Sequence, residues 1–270
     1  MPGLGVRPEY LTCWAARPGV RLGEVNSTQT EARRLAEAGA PEGTVVRAEH
    51  QTEGRGRLGR DWIDEPGSAL LISIVLRPAV EVARLPQLSL VAGVAVAEGL
   101  TEASGLPITV AWPNDLLIRG LKVGGILAES FIGADRVAVV ILGIGININQ
   151  TRFAGDLEGR ATSLAREGAR PFDRECVLTA VLERLEAWYR RWVAEGFGPV
   201  REAWRRSSVT LGRRVTTDGG AAGIAEDLAE DGALLVRTEG GALVRRVAGD
   251  VAPLVNYSGL TPGGADAAGD

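Results

Sequence analysis

Two segments of this chain carry residue types that could manage two anions at once. The first reads Gln51-Thr52-Glu53-Gly54-Arg55-Gly56-Arg57-Leu58-Gly59-Arg60-Asp61-Trp62. Its glycines let the backbone approach a ligand closely and offer successive N–H groups to an anion. The interleaved Arg55, Arg57 and Arg60 add guanidinium forks that match carboxylate or phosphate. A solvated surface loop is the plain alternative, because Gly/Arg loops are common. A Walker loop is excluded, since no Gly-Lys-Ser/Thr follows. The second segment is Ala111-Trp112-Pro113-Asn114-Asp115, followed by Lys122-Val123-Gly124-Gly125-Ile126-Leu127-Ala128-Glu129. Pro113 ends a strand in an extended bend. Asn114 and Asp115 either form a turn or face a metal-bound nucleotide. Lys122 starts the next strand beside a glycine pair, where its ammonium could reach a ligand lying on the sheet; alone, a lysine is more often solvated. A third stretch, Gly143-Ile144-Gly145-Ile146-Asn147-Ile148-Asn149, reads as a strand with one bare or polar face. A ligand above it would explain the asparagines, and strand-end capping explains them nearly as well. The dinucleotide fingerprint fails, because no helix start and no acidic strand end follow.

The elements that must hold these residues follow from hydrophobic period. Asn26-Ser27-Thr28 precedes Glu31, Ala32, Leu35 and Ala36 at helical spacing, with Ser27 or Thr28 as N-cap and Glu31 closing a capping box. Thr44–Ala48 is a short β-branched strand and Ala69–Leu76 a buried central strand. Leu85–Ser104 is a helix with a small-residue packing face. Ile108–Trp112 is a strand, residues 116–118 and 123–131 form a hairpin around Gly120, and Val137–Ile148 is another buried strand. Asp173–Glu195 is a long amphipathic helix, with a second over Val200–Arg206. From Val209 onward, turn signals at Asp218-Gly219-Gly220, Glu230-Asp231-Gly232 and Glu239-Gly240-Gly241 divide short strands, predicting a small β-barrel.

Composition sets the bounds. The chain has 270 residues, 45% hydrophobic and 24% charged, which suits an ordinary globular core of one large domain plus a small satellite. A net charge of −4 argues against a nucleic-acid or anionic-membrane surface over the whole protein. Cys13 and Cys176 are far apart and His50 is the single histidine, so neither a disulfide framework nor a metal cluster is expected. No signal peptide or transmembrane run is read, and a cytoplasmic setting is expected. Both cysteines default to small buried hydrophobes.

Together the GRGRxGRxW and WPND…KxGGIL.E blocks, in this order, resemble the bacterial biotin–protein ligases. The resemblance runs from about Glu24 to Tyr257. It implies an α/β (α+β) fold: a mixed sheet with helices, like the class II aminoacyl-tRNA synthetases and biotin ligases, plus a C-terminal SH3-like barrel. It divides the chain into an extension over 1–23, a catalytic domain over 24–207, the barrel over 208–256 and a disordered tail over 257–270. It further implies activation of biotin by ATP with Mg²⁺, then transfer to a lysine of a biotin carboxyl carrier domain of acetyl-CoA carboxylase or a related carboxylase. Ser27, Thr28 and Gln51 would bond the biotin ureido ring. Gly54, Arg55, Gly56 and Arg57 would close over the valeryl carboxylate, with Gly125 and Lys122 beneath. Arg57, Arg60, Trp62, Asn114, Asp115, Lys122, Asn147 and Asn149 would serve ATP, and Asp115 would hold Mg²⁺ through the nucleotide. Lys122, Arg57 and Arg55 would carry catalysis. DNA binding is not carried over, since too few residues precede the first motif for a helix-turn-helix. A homodimer is compatible with the resemblance. A lipoate or octanoate ligase, or a biotin-sensing regulator without catalysis, remains as an alternative reading.

Overall fold

The main sheet of the computed structural model runs β1-β2-β3-β7-β6-β5-β4. The structure describes residues 14–16, 19–132, 137–153, 155–217, 222–247 and 251–253. Cys13, most of the 1–23 extension, the turn at 218–220 and the 257–270 tail lie outside the described residues. The strands are β1 (Val20–Val25), β2 (Val45–Gln51), β3 (Ala69–Leu76), β4 (Ile108–Ala111), β5 (Asp115–Ile118), β6 (Leu121–Ile132) and β7 (Val137–Asn147). β1 pairs parallel with β2 and every other neighbour is antiparallel, so the sheet is mixed as the resemblance implied. β1 was not expected from sequence. Its Val-Arg-Leu-Gly-Glu-Val run sits at a sheet edge, half-buried at best, and its hydrophobic signal is correspondingly faint.

One face of the sheet is covered by α2 (Gln87–Ser104) and α4 (Arg174–Glu195). α2 is apolar almost all round, as a helix enclosed on both sides must be. The two helices meet at Gly99, where a Cβ would stand 2.8 Å from the Val181 Cα. Asp173 caps α4, its carboxylate accepting from the Glu175 and Cys176 N–H groups. α5 (Gly198–Ser207) then leads toward the second module, β8 (Arg214–Thr217), β9 (Ala222–Leu228), β10 (Leu234–Thr238), β11 (Leu243–Arg246) and β12 (Val251–Pro253). These form a small antiparallel sheet, β11-β10-β9-β8-β12. A short α3 (Leu164–Gly168) links β7 to α4. Among the described residues no helix is long and apolar enough to cross a membrane.

The other face carries α1 (Thr28–Glu37), whose Ala32 and Ala36 pack on Val46, Val75, Val139 and Ile141. The expected capping box does not form. Ser27 is the N-cap but its hydroxyl makes no cap bond, and Glu31 pairs with Arg34 instead. Thr28, which stands at the capping-box spacing from Glu31, has its Oγ1 engaged by Gln51 Oε1 at 2.9 Å and by Ser73 Oγ at 2.8 Å, which ties the helix start to β2 and β3. Cys176 is exposed, not the buried hydrophobe expected, because it falls on the first turn of α4.

Candidate active site

Strand periodicity places Gly143, Gly145 and Asn147 on the same face of β7 as Val139 and Ile141. Gly125 and Leu127 of β6 lie directly opposite Gly145 and Gly143. Past the N-terminus of α1 this face therefore loses its side chains and becomes a floor. At the two β7 glycines a side chain would collide with what lies above. A Cβ on Gly143 would come within 2.9 Å of the Gln29 Cδ, and one on Gly145 within 2.6 Å of the Trp62 ring. Above the floor is a cavity of about 1030 Å³, walled by the Gly/Arg loop, the β4–β5 turn, Phe153 and residues 155–161. That volume is at the top of the range for small-ligand sites.

One end of the cavity is polar and unfinished. Gln51 Oε1 accepts from the Thr28 N–H at 2.7 Å and from its hydroxyl, so the Gln51 amide turns its NH₂ outward. Gln29 is oriented the opposite way. Its NH₂ donates to Glu129 Oε2 at 2.9 Å, leaving Oε1 buried and without a partner. The Ser27 hydroxyl is also buried and unpartnered. Buried polar atoms without partners are rare and costly, so a cluster of them marks where a ligand completes the bonding. A cavity end offering an amide NH₂, an amide oxygen and a hydroxyl suits a group with donors and acceptors on adjacent edges, such as a cyclic urea.

The other end is cationic. Lys122 Nζ lies 2.6 Å from Asp115 Oδ1, both about one-third exposed. The Lys122 main chain is held by a parallel bridge to Ala161, with its N–H donating to Arg160 O and its carbonyl accepting from the Thr162 N–H. Arg57 Nη1 donates to Asn114 Oδ1 at 3.0 Å, which draws the loop onto the β4–β5 turn. Asn114 is itself held by Ile126: the Asn114 Nδ2 donates to the Ile126 carbonyl, and the Ile126 N–H donates to the Asn114 carbonyl. The loop closes on itself at its base. Trp62 N–H donates to Gly54 O, Gly56 N–H donates to Arg60 O, and a Cβ on Gly54 would meet Trp62 O at 2.5 Å. Leu58 at its tip has φ 56 and is 67% exposed. Behind the loop, the buried Asp64 carboxylate contacts His50 Nδ1 at 2.9 Å and accepts from the Gln51 N–H, fastening the loop's exit to β2.

Two family models match the sequence: the biotin/lipoate A/B protein ligase family over residues 22–147 and the biotin protein ligase C-terminal domain over residues 210–252. The biotin–[acetyl-CoA-carboxylase] ligase of Paracoccus denitrificans is 35% identical over 228 residues, covering 82% of this chain and 94% of that protein. This chain belongs to the biotin protein ligase family. The bifunctional ligase/repressor BirA of Bacillus subtilis is 40% identical over 222 residues, 80% of this ligase and 68% of that protein. A solved structure of the Aquifex aeolicus biotin protein ligase in complex with biotin and ATP superimposes with a TM-score of 0.77 at 34% identity. That match covers 88% of this ligase and 98% of the Aquifex chain.

Most residues singled out from sequence converge. Ser27, Thr28, Gln51, Arg55, Gly56, Arg57, Arg60, Trp62, Asn114, Asp115, Lys122, Gly125 and Asn147 all line the one cavity. Gly54 stands at the loop base, lining the adjoining outer recess with His50 and Glu129. Asn149 stands apart: its Nδ2 donates to Phe172 O and its Oδ1 accepts from the Phe172 N–H, both at 2.9 Å. It splints the chain ahead of α4. Asn147 points inward but its Nδ2 is spent on Thr162 O at 3.0 Å. Trp62 lies across the Gly125–Gly145 floor with its buried Nε1 unpartnered. Two contributors escaped the sequence reading. Gln29 looked like any polar residue in a first helical turn. The wall Gly155–Ala161 carried a signal, glycines at 155 and 159 followed by Arg160, that passed for an ordinary connection.

Proposed function

We propose that this cavity joins biotin to ATP as biotinyl-5′-AMP and then delivers biotin to a lysine of a biotin carboxyl carrier domain of acetyl-CoA carboxylase or a related carboxylase. The observation that carries the reading is the pairing, across one glycine floor, of an unfinished polar end with a cationic end. The ureido head lies against Ser27, Gln29 and Gln51, and the valeryl chain runs over Gly143 and Gly145. Its carboxylate reaches Lys122.

There a carboxylate oxygen attacks the α-phosphorus of ATP and pyrophosphate departs. At about 4 Å and an effective dielectric near 20, two like charges repel by roughly 4 kcal/mol. Lys122 and the loop arginines offset that repulsion, and do so more strongly as charge spreads in the transition state. Arg57 shifts from Asn114 to phosphate in this scheme, and Lys122 from Asp115 to the reacting oxygens. Among the described residues no group of three acidic, His or Cys side chains could cage a metal ion. A Mg²⁺ that arrives on the phosphates asks only for one or two carboxylates, and Asp115, once released by Lys122, fits that need. When bound it would shield phosphate charge and favour pyrophosphate departure.

In the second half-reaction the carrier's lysine amine attacks the acyl carbon of the mixed anhydride and AMP leaves. The anhydride must be kept from water until then. The Gly54–Trp62 loop supplies the cover, with glycines at 54, 56 and 59 as its joints. This reading places the work in the cytoplasm, where ATP is at hand.

The test is ATP–pyrophosphate exchange with biotin, lipoate and octanoate compared. Exchange is expected with biotin alone, because an alkyl or dithiolane tail would leave Ser27 Oγ and Gln29 Oε1 unpaired at a cost of ~1–3 kcal/mol each. Equal exchange with lipoate or octanoate would overturn the reading.

A further inference from the structure

The turn that carries Asn114 and Asp115 is gripped from the side of the C-terminal module. β4 is an edge strand, and its outer side is taken up by the chain leaving α5. Val110 bridges Ser208 in parallel and its carbonyl accepts from the Val209 N–H at 3.0 Å. Val209 seals the joint with Ala111 and Leu117 in a small apolar cluster of its own. Beyond it, the Trp112 N–H donates to the hydroxyl of Thr210 at 2.9 Å, both residues buried. The Trp112 indole Nε1 donates to the carbonyl of Gly232, in the β9–β10 turn, at 3.2 Å.

That β9–β10 turn is in turn bolted to the core. Gln87 Nε2 donates to the Glu230 carbonyl at 2.7 Å, and Gln87 Oε1 accepts from the Trp192 indole. Gly232 has φ +87, and a Cβ there would stand 2.9 Å from the Leu90 Cδ1. Apolar packing alone would join the two modules. Two directional bonds to a single residue do more: they fix both its main-chain plane and its ring. Trp112 borders the cavity, and within three residues the chain presents Asn114, which receives Arg57, and Asp115, which holds Lys122.

We propose that the C-terminal module sets the geometry of the nucleotide half of the site, with Thr210 and the β9–β10 turn acting as positioning groups through Trp112. The inference rests on the adenylation reading above for its chemistry and on hydrogen bonding alone for its mechanics. The polar end of the cavity, built on α1 and β2, shares none of these contacts, so the module is coupled to the cationic end and not to the polar one.

The test is Thr210→Val in the full chain, which keeps the volume and removes the acceptor. Amide hydrogen exchange, measured without ligand, is expected to quicken about tenfold across residues 108–118 and to stay unchanged in β7 and α1. In biotin-dependent pyrophosphate exchange, kcat is expected to fall about tenfold with the KM for biotin within about twofold of wild type. Thr210→Ser should restore both. If Thr210→Val does not fold, Trp112→Phe, which deletes the indole donor and keeps a ring, should give the same pattern at smaller amplitude. Unchanged protection of residues 108–118 overturns the proposal, as does quickened exchange with a wild-type kcat, or a loss shared equally by the biotin KM. A wild-type protein without biotin-dependent exchange would instead refute the proposed function, and hydrogen exchange would then decide the coupling by itself.

Discussion

The same face of β7 does two different things along its length. At Val139 and Ile141 it carries branched side chains, buried against Ala32 and Ala36 of α1 with the partly buried Phe131 packed alongside. At Gly143 and Gly145 it carries nothing, and the space holds Gln29, Trp62 and the cavity. The strand, its neighbours and its hydrogen-bond ladder are continuous through both halves. What differs is side-chain volume on alternate residues. The filled half gains apolar burial and rigidity. The bare half gives that up, and the orphaned Ser27 Oγ, Gln29 Oε1 and Trp62 Nε1 gather around it. Packed core and open cavity are thus separated along one strand by whether a Cβ is present. A cavity floor need not be a break in the fold.

This contrast can be broken at several points. Lys122→Ala should have the largest effect, lowering single-turnover biotinyl-AMP formation by ~100-fold or more with biotin affinity less changed. An unaltered rate would remove Lys122 from the chemistry. Gly145→Val writes the filled half onto the bare one. Adenylation should drop by more than about tenfold, and thermal melting should fall as well, because the new side chain must displace the Trp62 ring that a Cβ there would meet at 2.6 Å. Activity surviving that change would mean the floor carries no ligand. The reciprocal probe, Ile141→Val, should cost about 1 kcal/mol in urea unfolding and leave kcat as it is. Glu129→Ala tests the polar end more gently. With its NH₂ released the Gln29 amide can rotate, and the KM for biotin should rise by about threefold to tenfold at constant kcat.

The smallest effect lies away from both halves, where α5 meets the barrel. Desolvation pushes the Asp227 carboxyl up, but hydrogen bonds from Arg205 and Arg201 and from the Leu228 N–H outweigh it, leaving the pKa at about 2 against an ordinary 3.8. A folded-state pKa below the unfolded one means this group stabilises the fold above pH ~4 and loses that contribution as pH falls toward 2. The melting-temperature gap between wild type and Asp227→Asn should therefore be present at pH 6 and narrow by pH 3. A gap that holds constant would show that the carboxylate charge contributes nothing.

Much of the site was legible because its signals are local. Glycine spacing and interleaved arginines announce a flexible cationic loop, which lines the cavity, and the run from Trp112 to Glu129 announces a turn and a lysine-led strand. Element types held for nearly every segment with a clear period, from Ala69–Leu76 to the turn-punctuated strands after Val209. What failed did so for physical reasons. β1 is an edge strand with a faint apolar pattern. The hydroxyl of Thr28, at the capping-box spacing from Glu31, is engaged by distant strands. Asn149 sits two residues beyond Asn147 on the same pattern, yet its amide is turned to the chain ahead of α4.

Residue types and short-range spacing, then, determined which chemistry this chain could attempt: anion neutralisation by flexible, cationic backbone, next to a lysine. Tertiary structure decided which ends face each other. Gln29 acquires meaning only because Glu129, a hundred residues away, takes its NH₂ and leaves its oxygen bare. Trp112 becomes a joint between modules only because Thr210 and Gly232 arrive beside it. Hydrogen-bond orientation depends on partners that chain spacing does not encode, which is why such roles appear only once the chain is folded.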